Sequence, residues 1–167
     1  MIRFGILIIS DRSSKGIRED LTGPALQAYL VEKGHSVNYI KIIPDERDQI
    51  AQVLSQWADE HLADVVLTSG GTGFSTRDVT PEATLSIIEK SAPGISEAIR
   101  MNSLKVTPHA MLSRAVSGIR KQTLIINLPG SPRGACESLE FILPVLPHAV
   151  ELMQDSADAE LGHKKPG

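Results

Sequence analysis

The sequence contains one cysteine, Cys136, which excludes an internal disulfide and any zinc site built from several thiolates. Its aromatics are Phe4, Tyr29, Tyr39, Trp57, Phe74 and Phe141, only 4% of the chain and too few for a platform of stacked bases. Positive charge is not in excess. The 17 Lys and Arg against 20 Asp and Glu leave a formal net charge of −3, which argues against a general nucleic-acid binder. No apolar run approaches the roughly 18 residues of a membrane span, and the opening MIRFGILIIS leads into a strand pattern rather than a cleavable signal. A soluble cytoplasmic protein without nucleic-acid or membrane partners is the expectation. What is present is ordinary globular composition, 41% hydrophobic and 22% charged. The 167 residues suffice for about one domain, which buries about 70% of its unfolded surface unaided by metal or disulfide. That domain is expected over residues 1–153, with the polar stretch 154–167 as a loose tail.

The hydrophobic pattern predicts an α/β chain. Ile2 to Ile9 is nearly unbroken and isoleucine-rich, as in a strand covered on both faces. A helix is predicted from Pro24 to Lys33, a strand from His35 to Ile43 and a helix from Arg47 to His61. The stripe of that second helix is Ile50, Val53, Leu54 and Trp57. Asp64 to Thr68 reads as a short buried strand. Thr80-Pro81 opens a further helix, with Thr80 as N-cap and Pro81 in the first position. Pro93-Gly94 separates it from a helix over Ile95 to Leu104. Ala115–Arg120 and Thr123–Leu128 suggest an antiparallel pair turning at Lys121-Gln122, and Ser131-Pro132 starts a helix to Leu143. Pro144 divides that helix from a last one ending near Met153. Strands alternating with helices indicate a largely parallel sheet.

Two glycine loops carry the chemistry. Ser69-Gly70-Gly71-Thr72-Gly73 follows the strand DVVLT, where ligands bind in open α/β sheets. Glycines there allow close backbone approach and turn N–H groups toward an anion, although a tight turn has the same composition. The spacing is neither that of a P-loop nor that of a dinucleotide fingerprint. Asn127-Leu128-Pro129-Gly130-Ser131-Pro132 repeats the arrangement at a second strand end. Ser131 suits an N-cap, and the free amides behind it suit an anion. Asp78, Asp45 and Asp11 stand at strand ends, where carboxylates beside a phosphate pocket would serve magnesium. Asp45 is equally suited to capping the helix near Arg47, and Glu82 in a first helical turn is explained by the helix dipole alone. Arg114 is available to neutralise phosphate. The five histidines show no metal-ligand spacing, and Cys136 reads as a small packed residue.

These segments together resemble the MogA/MoaB family of molybdopterin adenylyltransferases, and also the G domain of gephyrin. The likeness rests on ISDR (9–12), IPDE (43–46), TSGGTG (68–73), RDVTPEAT (77–84), PG (93–94), MLSRAVSGIRKQTLIINLPGSP (111–132) and FILPVLPHAVELM (141–153). The resemblance implies a three-layer α/β/α fold, mostly parallel with one antiparallel strand pair. It implies assembly as a homotrimer, or as a homohexamer, and a transient contact with a molybdenum insertase. It also implies transfer of AMP from magnesium-ATP to the terminal phosphate of molybdopterin, with pyrophosphate released. Asp45 and Asp78 correspond to the family's catalytic, magnesium-organising acids. Ser69, Gly70, Gly71, Thr72 and Gly73 with Asp78 correspond to the nucleotide region. Ser113, Arg114, Asn127, Pro129, Gly130 and Ser131 correspond to the hold on the pterin phosphate, and Asp11 and Glu82 complete the ligand-binding set. A non-catalytic molybdopterin-binding or scaffold protein is the alternative.

Overall fold

A computed structural model describes residues 1–154; most of the segment read as a tail, 155–167, lies outside the described residues. The chain runs β1 (Arg3–Ile9), α1 (Asp11–Ser14), α2 (Thr22–Glu32), β2 (Ser36–Ile43), α3 (Arg47–Asp59), β3 (Val65–Ser69) and α4 (Thr80–Leu85). It continues through β4 (Lys90–Ser91), α5 (Pro93–Leu104), β5 (Ser117–Arg120), β6 (Thr123–Leu128), α6 (Pro132–Ile142) and α7 (Leu146–Met153). Short 3-10 turns precede β5 and α7, at Pro108–Leu112 and Leu143–Val145.

The sheet order is β2-β1-β3-β6-β5-β4. β2, β1, β3 and β6 are parallel, and β5 runs against both β6 and β4. The unbroken apolar reading of β1 is explained by its central place, because alternate residues enter two separate cores. Phe4, Ile6 and Ile8 pack with Leu67, Ile126, Leu26, Leu139 and Leu146, beneath α2, α5, α6 and α7. Leu7 and Ile9 pack with Val66, Ile125 and the α3 stripe Ile50, Val53, Leu54 and Trp57, beneath α3 and α4. The result is a three-layer α/β/α arrangement with one core on each face of the sheet. The antiparallel β5–β6 pair turns at Lys121, whose φ of 53° is the left-handed conformation a two-residue turn demands. Cys136 is a free, half-buried thiol against the first core.

Several boundaries differ from the sequence reading. α2 starts at Thr22 rather than Pro24: Leu21 is its N-cap residue, and the Asp20 carboxylate satisfies the first two helical amides, those of Thr22 and Gly23 (2.9 and 3.1 Å). Pro93 is the first residue of α5, not part of a separator. Thr80 is not an N-cap. Val79 holds that position, and the Thr80 hydroxyl turns back to donate to the Gly70 carbonyl at 2.9 Å.

Candidate active site

The parallel strands end on one edge of the sheet, and the loops beyond them converge there. β3 runs into Gly70 and Gly71, with φ of 106° and 66°. Both positions require glycine. A Cβ on Gly70 would strike the Ile9 carbonyl oxygen at the end of β1, and one on Gly71 would strike the Thr80 hydroxyl and stand 3.0 Å from Asp45 Oδ1. The loop is then stitched to its surroundings. The Thr80 amide donates to the Gly71 carbonyl (3.1 Å), and the Arg114 amide to the Thr72 carbonyl (2.9 Å).

The second glycine loop leans directly on the first. Ser69 Oγ donates to the Pro129 carbonyl at 2.8 Å, and a Cβ on Gly130 would lie 3.3 Å from the Gly70 Cα. Ser131 caps α6 as its sequence suggested, accepting from the Gly134 amide at 3.1 Å. Among the described residues, the amides of Gly71, Thr72, Gly73, Gly130 and Ser131 donate to no protein acceptor. Backbone donors gathered in this way on adjoining loops form a ready anion cradle.

Two hollows flank this double loop. The first, about 440 Å³, is polar and is lined by Asp45, Asp78, Ser69, Gly70, Gly71 and Ser131, with Arg18 its one basic residue. The second, about 320 Å³, adds Ile99, Val106, Leu112 and Ser113 to Thr72, Gly73, Pro129, Gly130 and Ser131. Gly130 and Ser131 border both.

The carboxylates are placed with care. Asp45 and Asp11 exchange hydrogen bonds: the Asp11 amide donates to Asp45 Oδ2 at 2.8 Å, and the Asp45 amide to Asp11 Oδ1 at 3.1 Å. Asp45 does not cap α3, where Glu46 occupies the N-cap position; its carboxylate instead takes the first amide of α1. Burial pushes the Asp45 carboxyl up from its ordinary pKa, and the nearby charges of Asp11 and Asp78 push in the same direction. Asp78 accepts from the Ser75 amide at 3.1 Å and lies against Gly73. Two acids facing one cleft, one of them destabilised as an anion, form an oxygen donor set suited to a hard cation. Magnesium is commonly held by one or two carboxylates, with substrate phosphates and water completing its shell.

Four expected site residues line neither hollow. Asn127 is fully buried, and its carboxamide donates to Thr68 Oγ1 (2.9 Å) and Thr84 Oγ1 (3.0 Å) while accepting from the Val116 amide (3.2 Å). It faces the core, not a ligand. Arg114 is a buckle rather than a free cation. Its guanidinium donates to the Gly73 carbonyl (2.7 Å), the Asp78 carbonyl (2.8 Å) and Glu82, tying the glycine loop to α4. That hydrogen bonding holds the Glu82 carboxyl below its ordinary pKa. Asp11 is likewise held low by the Arg77 guanidinium. Arg77 and Arg18 escaped the sequence reading. Arg77 has distant partners, and Arg18 sits in a polar loop without a motif.

The chain matches the family model described as "probable molybdopterin binding domain" over residues 5–148. It is 48% identical over 156 residues to the molybdopterin adenylyltransferase of Helicobacter pylori, covering 91% of this chain and 88% of that protein. It is 44% identical over 168 residues to gephyrin of Dictyostelium discoideum, covering 94% of this chain but 23% of gephyrin. The crystal structure of the molybdopterin biosynthesis enzyme MoaB from Thermus thermophilus superposes with a TM-score of 0.87 at 47% identity, over 93% of this chain and 98% of that one. Matched by that family model over most of its length and this similar to its relatives in sequence and fold, the chain belongs to the MogA/MoaB family of molybdopterin-binding domains.

Proposed function

We propose that this protein is a molybdopterin adenylyltransferase, moving AMP from magnesium-ATP to the terminal phosphate of molybdopterin. An oxygen of that phosphate attacks the α-phosphorus of ATP; a new P–O bond forms as the bond to the β-phosphate breaks, and pyrophosphate leaves. The observation that carries this reading is the pair of hollows sharing one wall of unpaired backbone amides, acidic on one side and more apolar on the other. Two phosphorylated substrates need adjacent sites that meet at the reacting phosphates. In this reading the acidic cleft takes the triphosphate and the second hollow takes the pterin.

The nucleophile belongs to the substrate, so the protein need only position and neutralise. The free amide of Gly71 orients the nucleotide phosphates, those of Thr72 and Gly73 serve the phosphate that attacks from the second hollow, and those of Gly130 and Ser131, which border both hollows, hold the two where they meet. Ser113 reaches the second hollow, while Arg114, Glu82, Asp11 and Asn127 serve from behind by fixing the loops. Asp45 and Asp78 would hold magnesium together with substrate phosphates. When bound, the ion offsets negative charge accumulating on the phosphoryl oxygens.

The assembly is proposed to be a homotrimer. The edge strand β2 exposes Tyr39, Ile40 and Ile42, an apolar surface for self-association, and sedimentation at three times the 18.0 kDa chain mass tests the proposal. No described helix is long and apolar enough to cross a membrane; a cytoplasmic setting and a transient contact with a molybdenum insertase belong to the same proposal. The test of function is anaerobic incubation with molybdopterin and magnesium-ATP, followed by mass spectrometry. Adenylyl-molybdopterin with released pyrophosphate is expected. Tight molybdopterin binding without product would favour a non-catalytic carrier.

A further inference from the structure

Asp45 and Asp78 reach the cleft from different loops, one after β2 and one before α4, so something must fix them relative to each other. The residue that joins them is Arg77. Adjacent to Asp78 in sequence, it reaches Asp11 after β1 and Glu46 after β2. Its Nε donates to Asp11 Oδ2 (3.0 Å), and its Nη2 donates to Asp11 Oδ1 (2.9 Å) and Glu46 Oε1 (2.8 Å). Asp11 in turn exchanges the two hydrogen bonds with Asp45 described above. An unbroken chain of contacts thus runs from the backbone beside Asp78 to the carboxylate of Asp45, and Glu46 anchors it one residue beyond.

We propose that Arg77 is a positioning residue for adenylyl transfer, holding the Asp45 and Asp78 carboxylates at their working separation through Asp11. The inference rests on the functional reading above. Arg77 lines neither hollow, so it acts through other residues rather than on substrate. Its side chain and that of Glu46 are half exposed, 51% and 50%, where an ion pair adds little to stability. A long side chain immobilised on three oxygens for little stability is explained by what it aligns. Arginine is specific to the task, since its planar fork meets both Asp11 oxygens at once whereas a lysine supplies one point charge.

The test compares wild type with Arg77→Ala, Arg77→Lys, Asp45→Asn and the Arg77→Ala/Asp45→Asn double variant. Arg77→Ala is expected to lower kcat about 30- to 100-fold with KM for ATP within about twofold, because a displacement of roughly 1 Å has that order of effect. Arg77→Lys should fall with it. In the Asp45→Asn background the same change should cost less than about threefold, since the aligned group is already gone. Amide hydrogen exchange gives a readout independent of activity: the Asp11 and Asp45 amides should exchange about tenfold faster in both single Arg77 variants, with α6 unchanged. Unchanged exchange, full rescue by lysine, a raised KM at constant kcat, or an equal loss in both backgrounds would each overturn the assignment. A wild type that makes no product removes the functional reading instead, while exchange still decides whether Arg77 aligns the two loops.

Discussion

At the scale of single residues, the acids separate into those that hold the fold and those that the fold holds at a cost. Asp64 is of the first kind. Buried at the start of β3, its carboxylate accepts from the Arg3 amide (2.8 Å) and from Arg3 Nη2 (2.7 Å). Burial works against its charge, but the Arg3 hydrogen bonds prevail and the carboxyl lies below its ordinary pKa. A depressed carboxyl stabilises the fold fully above its unfolded value, near ~3.9, and that contribution is lost as pH falls through the folded value. Asp64→Asn should therefore cost about 1–2 kcal/mol at neutral pH and flatten the acid limb of a stability-versus-pH curve. A steep acid limb retained in urea titrations of the variant would contradict this. Asp45, whose carboxyl burial pushes up, is of the second kind, and Asp78 faces the same cleft. Asp78→Asn keeps volume and fold but removes the charge, and adenylyl transfer should fall by at least about a hundredfold, on the order of 3 kcal/mol in the barrier. Wild-type turnover in the folded variant would displace Asp78 from the chemistry.

At the scale of elements, what could be read in the sequence was set by how local each determinant is. The buried strands, the α3 stripe and the Ser131 cap depend on neighbours within a few residues, and all are where the pattern put them. Ser131→Ala should destabilise by about 1 kcal/mol through the lost cap, which a denaturant midpoint would register. Thr80 has the composition of a cap, yet its hydroxyl goes to Gly70, ten residues back. Asp45 likewise looks like a cap from its neighbours, but its carboxylate is taken by the Asp11 amide, 34 residues away. Arg77 was missed for the same reason, because its Asp11 partner lies 66 residues distant. The loops of the site could thus be located from sequence, but the wiring between them could not, since it is a property of the strand order. The resemblance to known family blocks supplied residue identities for the site without distinguishing Asn127, sealed in the core, from Gly130 on the surface.

At the scale of the whole molecule, two cores of unequal size clamp the sheet, and the glycine loops of the candidate site hang from its carboxyl edge. Catalytic groups carried on loops therefore inherit the rigidity of buried strands. The Ser69–Pro129 hydrogen bond and the contact of Gly130 with Gly70 have a thermodynamic consequence at this scale. A wall common to two compartments cannot move for one occupant alone. A ligand that settles the wall on its own side changes the affinity on the other, and the coupling factor is the same in both directions. Calorimetric titration of ATP with and without molybdopterin, and of molybdopterin with and without ATP, should return one ratio. Ser69→Ala, which cuts the thread between the loops, should bring that ratio toward unity. The hydroxyl of a single serine would then make the two substrates aware of each other.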